Sequence, residues 1–223
     1  MSLRRGTDAL VMGDLGAPVV AAEALESLTQ LNEKCLDLIA EQSAAQPNSV
    51  SLLSRQVCEI WRTLDPLARR RAAECPYLLL DVGFAEPSRW RWLDGQHVNE
   101  NPNVVVAPYF TVSRAAAVAR EVFIYAWHLA QSKYVAAQLC LGMPAYCAQL
   151  ISACTLSQIH DLAQTHPEWL RPRWIARLRF WRELLLAAAS GEVVAIESSR
   201  MHGLQLIAAE CRKATQQIQS QLG

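Results

Sequence analysis

The sequence predicts an all-α protein, a multi-helix bundle with a helix-turn-helix-like module near its centre. Apolar residues recur at intervals of three and four along most of the chain, which is the spacing of a half-buried helix. Glycine and proline stand between these segments, at positions where helices end and begin. Strand-like apolar runs are short and confined to residues 77–106, where the chain could form a small two-stranded ribbon.

The N-terminal part of the chain predicts three helices. An amphipathic helix is expected over residues 18–46, because its leucines step by three and four residues. Ser49 or Ser51 can cap a second helix, whose apolar residues follow the same spacing. Asp65, which is followed by a proline, is a suitable N-cap for a third helix over residues 67–75.

A change in composition predicts a domain boundary. Residues 86–108 are rich in proline, asparagine and glycine, which is typical of a connecting segment. The apolar run 77–84 before it and the valines 104–106 within it are the two candidate strands of the ribbon. We therefore divide the chain into an N-terminal helical region of unknown role, residues 1–110, and a helical domain, residues 111–223.

The second part of the chain predicts a further series of helices. Thr111 or Ser113 can cap a long apolar helix over residues 114–130. After the central module, two more helices are expected over residues 173–190 and 197–221, and a glycine separates them.

The central module covers residues 126–165 and is predicted to consist of three helical segments joined by two turns. Gly142 stands where the first segment should stop and Pro144 where the next should start, since glycine tolerates positive φ and proline lacks an N–H. Thr155 is the expected N-cap of the third helix, Leu156 to Thr165. Short apolar helices cannot bury their faces alone, so the three should pack as one unit.

The composition is that of an ordinary folded protein. Of the 223 residues, 52% are hydrophobic and 19% are charged, which excludes a disordered chain. No uninterrupted apolar run reaches the roughly 18 residues of a membrane-spanning helix, so we expect a cytoplasmic protein without a membrane partner. The seven cysteines form an odd set without a C-x-x-C pair. We expect buried thiols, while a dimer disulfide or metal ligation stays an alternative.

No motif for catalysis stands out in the sequence. It contains neither H-E-x-x-H nor G-x-S-x-G, no phosphate-binding loop, and no G-x-G-x-x-G after a strand. His160, which precedes Asp161, lies near the exposed side of a predicted helix and is better explained as a surface residue than as a general base. We therefore predict no enzyme activity, no catalytic residue, no metal site and no cofactor.

Positive charge is concentrated in one segment, although the chain has 21 basic and 21 acidic residues and therefore no overall basic field. Between Leu170 and Glu183 the arginines interleave with tryptophans. Two interpretations stay open: the arginines reach phosphate, or they stack on the tryptophans as structural cation–π contacts. If they bind DNA, the candidate residues are Arg171, Arg173, Arg177 and Arg179.

A pattern of small and apolar residues with fixed spacing runs through the central module. Its parts are Ala126-x-x-Leu129, Leu141-Gly142-Met143, Thr155-Leu156-Ser157-Gln158-Ile159 and Leu162-Ala163-Gln164-Thr165. Over these residues the chain resembles FlhD, the flagellar master-regulator family. The resemblance implies an all-α transcriptional regulator that dimerises, joins a FlhC-like partner in a hetero-oligomer and contacts promoter DNA. Regulators of this kind are also carried on mobile elements.

Two functional hypotheses follow. The first is a DNA-binding transcriptional regulator subunit, acting as a dimer or with a FlhC-like partner, in which the four arginines contact phosphates. The alternative is a protein-interaction or assembly factor of a mobile element or a secretion system, which binds no DNA. Balanced charge, seven tryptophans and a long amphipathic N-terminal helix that could dock in a groove of a partner favour this alternative.

Overall fold

The structure is a computed structural model that describes residues 22–45, 52–90, 93 and 107–222. Within these residues the protein is all-α with one small two-stranded ribbon, as the sequence predicts. The helices are α1 (Ala22–Ala45), α2 (Leu52–Thr63), α3 (Pro66–Ala73), α4 (Pro87–Trp90), α5 (Val112–Ser132), α6 (Tyr134–Leu141), α7 (Ala145–Ala153), α8 (Leu156–Thr165), α9 (Leu178–Ser190) and α10 (Val193–Leu222). The strands are β1 (Leu80–Asp81) and β2 (Arg171–Pro172).

Several helix ends lie where the sequence places them. Asp65 caps α3 by accepting a hydrogen bond from the Ala68 amide at 2.7 Å. Thr155 caps α8 as part of a capping box, in which Gln158 bonds back to the Thr155 amide. Gly142 ends α6 in the left-handed conformation, with φ of 62°. Both turns of the central module are therefore present, but its first predicted segment is not one helix, because the chain breaks at Lys133 between the end of α5 and the start of α6.

The long helix α5 is the centre of the packing. Helices α6, α7 and α8 pack directly on it, and α1 packs on α2, α3 and α5. Helix α9 packs on α2, α3 and α10. The described residues share one hydrophobic core, which includes residues from both sides of the boundary predicted near residue 110, among them Leu36 and Trp61 on one side and Phe123 and Trp181 on the other.

The ribbon joins segments that are far apart in the sequence. β1 comes from the apolar run after Pro76 and pairs antiparallel with β2, so that Leu80 lies opposite Pro172. The valines 104–106, predicted as a candidate strand, lie outside the described residues. The same is true of Ser49 and Ser51, the predicted caps of α2, and of both ends of the predicted helix 18–46.

Two predicted helix starts are wrong. The helix expected from Arg173 begins five residues later, at Leu178. The intervening residues are held by the ribbon instead, since the Arg173 amide donates to the Leu79 carbonyl at 2.8 Å. Trp174 then adopts φ of 53°, a left-handed conformation that no helix continues through. Helix α10, in turn, begins four residues before its predicted start.

All seven cysteines are free thiols, and six of them are buried. Cys211 on α10 is half-buried. Among the residues that the structure describes, no helix has the length and apolar character that crossing a membrane requires.

Candidate functional site: an apolar groove between two helices

The four arginines predicted to contact DNA do not share one environment. Arg171 lies in β2 and is half-buried. Its guanidinium pairs with Glu86 and lies 3.5 Å from the carboxylate of Asp81. Two acidic groups therefore already neutralise this side chain, and they hold the ribbon to the segment before α4.

Arg173 lies inside the protein, and its side chain is 2% exposed. One guanidinium nitrogen donates to the carboxylate of Glu210 on α10 at 2.9 Å, and another donates to the Leu141 carbonyl at the end of α6 at 2.6 Å. The guanidinium also lies 5.8 Å from the Trp174 ring centre. Its location corrects the expectation that this arginine lies on an exposed edge, because pairing with Glu210 and the α6 terminus has drawn it into the interior.

Arg177 and Arg179 are exposed at the start of α9. Arg177 forms no ion pair with any described residue, whereas Arg179, 90% exposed, pairs with Glu183 at 2.6 Å one turn further along α9. These two arginines lie on a helix that packs on α2, α3 and α10, while α8 packs on α5. The two exposed arginines and the last helix of the central module thus belong to different helix packings.

The surface of the helix-turn-helix-like module carries almost no charge. From Tyr134 to Thr165 there is no lysine or arginine, and Asp161 on the exposed side of α8 is acidic. The other exposed residues of α8 include Ser157, Gln158 and Gln164. Phosphate binding depends on cationic side chains, so this surface offers little affinity for nucleic acid.

An apolar groove lies between α6 and α10, where the Gly142–Pro144 turn leaves α6. Its volume is about 940 Å³. The walls are formed by Leu139 of α6, by Leu25 near the start of α1 and by one face of α10. Buried Met143 and Ile207 contribute to its floor. Leu139 is 52% exposed and Leu25 38%, which is unusual for leucines that adjoin a core.

The face of α10 in the groove has a regular pattern. Leu204, Ala208, Cys211 and Thr215 line it at spacings of four, three and four residues. This spacing places them on one side of the helix and is the pattern by which one helix packs along another. Two of the four are small or short, Ala208 and Thr215, so a second helix could approach the α10 backbone closely.

A buried polar network fixes the shape of the groove. Arg173 bonds both walls, since it donates to the last carbonyl of α6 and to Glu210 of α10. The Trp174 indole donates to the other oxygen of Glu210 at 2.8 Å. Burial raises the pKa of Glu210, and the adjacent Arg173 acts in the opposite direction. A Cβ atom at Gly142 would lie 2.7 Å from the Arg173 guanidinium, so this glycine makes room for the network.

A second pocket, more polar and of about 540 Å³, lies between α9 and α10. It is lined in part by Glu183, Ser199 and His202. The His202 ring nitrogen is 3.8 Å from the Glu183 carboxylate, which is too long for the hydrogen bond that orients a general base. The Ser199 hydroxyl is buried. The residues therefore do not form a nucleophile–base pair.

The thiols are poorly suited to nucleophilic chemistry. Burial raises the pKa of Cys140 to about 11 and that of Cys75 to about 12. Burial also raises the pKa of Cys211, the most exposed of the set. The protonated thiol thus prevails at neutral pH, whereas the thiolate is the reactive form. Within the described part of the chain no three histidine, cysteine or acidic residues are grouped to hold a metal ion.

Comparison with known proteins found no match to a family model, a curated protein or a solved structure. The resemblance of the central module to FlhD stays a prediction from its sequence pattern. Sequence reasoning did not identify the groove, because its walls come from segments separated by more than sixty residues. The signals that it missed were Leu139, an apolar residue on the outer face of α6, and the α10 spacing.

Proposed function

We propose that this protein is a protein-interaction component, such as an assembly or accessory factor, that binds a partner through the groove between α6 and α10. The observation that carries the proposal is the apolar lining of an open groove, with Leu139 more than half exposed. Burying such a side chain against a partner contributes favourable free energy, on the order of 1 kcal/mol for the exposed half of a leucine.

The distribution of charge supports an interaction without DNA. Helix α8 of the central module has no lysine or arginine, and two of the four candidate arginines pair with acids that belong to the fold, Arg171 with Glu86 and Arg173 with Glu210. The surface around the two turns of the module has almost no charge. Such a surface suits a protein partner, whereas binding to the phosphate backbone of DNA requires cationic side chains.

DNA binding by a FlhD-like dimer, or together with a FlhC-like partner, is the second candidate. Its specific support is the exposure of Arg177 and Arg179 at the start of α9, together with the two bends of the central module. Phosphate contacts of this kind would be weakened by salt and would add little sequence preference.

The test compares two matched variants of the full chain in affinity capture from the native host. Leu139→Gln introduces an amide at the groove, and Leu67→Gln makes the same change at a leucine of α3 that is 64% exposed and lies outside the groove. We expect Leu139→Gln to lose a captured partner that wild type and Leu67→Gln both retain. Equal capture by all three proteins would contradict the proposal.

The DNA hypothesis is tested in parallel. Duplex DNA is titrated at low and moderate salt, with wild-type protein and with an Arg177→Ala, Arg179→Ala double variant. Two results together would favour the regulator over the interaction factor. The wild-type protein would bind DNA in a salt-sensitive way that the double variant loses, and Leu139→Gln would leave partner capture unaffected. We expect no such binding at moderate salt.

A further inference from the structure

The charge of the groove indicates what kind of helix it takes. Arg212 is the one charged side chain among the described residues that line it. Arg212 is exposed and forms no ion pair with a described residue. The other polar lining residues include Gln138, Gln205 and Thr215, which are neutral. As far as the described residues form it, the groove is thus apolar with a positive charge on one edge and no negative charge.

The acidic residue nearest in sequence to Arg212 is not available to neutralise it. Glu210 receives hydrogen bonds from Arg173 at 2.9 Å and from Trp174 at 2.8 Å. Both of its oxygens are therefore engaged on the side of α10 that faces the ribbon. Lys213 follows Arg212, and both are exposed, whereas Glu210 is partly buried and already paired with Arg173.

We propose that the groove binds an amphipathic helix of a partner protein that carries acidic side chains beside its apolar stripe. This inference rests on the proposed function and names the chemistry of the partner. The lining of α10 extends from Leu204 to Thr215, which corresponds to about 16 Å, or three helical turns. The apolar stripe of the partner would pack along Leu204, Ala208 and Cys211, and an acidic side chain would reach Arg212.

A second copy of this chain fits the groove less well. If two α10 helices paired antiparallel about a two-fold axis at Cys211, both Arg212 side chains would lie on the same edge of the pair and close to the axis, so each would lie beside its counterpart. Like charges at such a contact are unfavourable, and Glu210 is already bound to Arg173. A separate acidic helix meets the same surface without this repulsion.

The test uses two synthetic helical peptides of about 21 residues, which corresponds to about six helical turns. Both carry leucine at heptad a and d positions; the flanking positions are glutamate in one peptide and lysine in the other. Binding to the full chain is measured by fluorescence anisotropy at low salt. We expect the acidic peptide to bind about fivefold more tightly than the basic one. This ratio is typical when an attractive pair of exposed charges is replaced by a repulsive pair.

Charge reversal on the protein provides the decisive comparison. Arg212→Glu should remove or invert the preference for the acidic peptide, while Arg182→Glu, at an exposed arginine of α9 outside the groove, should leave it unchanged. The preference should also shrink as salt is raised, because exposed charges are screened. An unchanged preference in Arg212→Glu would overturn the inference.

The outcomes separate this inference from the proposed function. If both peptides bind equally and Leu139→Gln weakens both, the groove takes helices without regard to charge, which overturns the inference and leaves the proposed function intact. If neither peptide binds, this inference fails, while the proposed function is still decided by whether Leu139→Gln loses a captured partner. If sedimentation shows a dimer that Leu139→Gln dissociates, a second copy occupies the groove, and the acidic partner is overturned.

Discussion

Replacing Arg173 by methionine tests whether this arginine holds the fold together. Arg173→Met keeps much of the aliphatic volume but removes the ion pair with Glu210 and the hydrogen bond to the Leu141 carbonyl. Breaking a buried pair by removing one partner costs roughly 3–5 kcal/mol. Glu210 is 35% exposed, so water can solvate it in the variant, and the lower end of that range, about 3 kcal/mol, applies.

The assay is equilibrium unfolding in urea at pH 7, followed by tryptophan fluorescence. Arg179→Met is the matched control, because Arg179 is exposed and its pair with Glu183 is open to water; its midpoint should match that of wild type. Glu210→Gln leaves the Arg173 charge buried and unpaired, with a side chain only 2% exposed, so it should cost at least as much as Arg173→Met. If Arg173→Met unfolds at the wild-type midpoint, the arginine does not stabilise the fold and our account of the groove is wrong.

Three further predictions concern local structure. Gly142→Ala should destabilise by about 2 kcal/mol, because it combines a left-handed φ with a clash at Arg173, whereas Gly191→Ala, with a similar φ and ordinary contacts only, should cost about 1 kcal/mol in the same urea assay. Thr155→Ala should cost about 1 kcal/mol through loss of the α8 cap; an unchanged midpoint would show that the cap contributes nothing. Because burial raises the pKa of Cys140 from 9.0 to about 11, its folded state holds the proton more tightly. Up to about 3 kcal/mol of stability should therefore be lost through Cys140 between pH 9 and 11 under reducing conditions. Cys75, whose pKa burial raises to about 12, adds to the same fall, so Cys140→Ala should make the profile shallower and leave part of the fall; equal profiles would contradict the assignment.

Local signals in the sequence predicted the helix ends well. Thr155 and Gln158 form a capping box. Its two partners are three residues apart, so the motif can be recognised from the sequence alone. Gly142 and Gly191 end α6 and α9 in the left-handed conformation that glycine favours. Asp65 before a proline likewise marked the start of α3. These features depend on neighbours within one turn, which is why they could be predicted.

The role of Arg173 depended on residues that no local pattern reveals. Its partners Leu141 and Glu210 are 32 and 37 residues away in the sequence. The arginine-rich segment looked like an exposed helix because its spacing is compatible with one. Pairing of β2 with β1 and burial of the guanidinium decided otherwise, and both are tertiary interactions.

The groove was missed for the same reason. Leu139 and Leu25 look like core residues in the sequence, and only the packing of α10 against α6 leaves them at an open surface. The all-α class, by contrast, followed from apolar spacing along the whole chain, which is a property of many residues and does not depend on any single contact.

The most direct measurement of the central claim is the protection of Cys211 by a bound helix. Cys211 lines the groove and is the one cysteine that is not buried, so it should react with N-ethylmaleimide before the others. Saturation with the acidic peptide should slow its modification severalfold, as read by mass spectrometry of the intact chain. The same rate of modification in the free and the peptide-saturated protein would contradict the account.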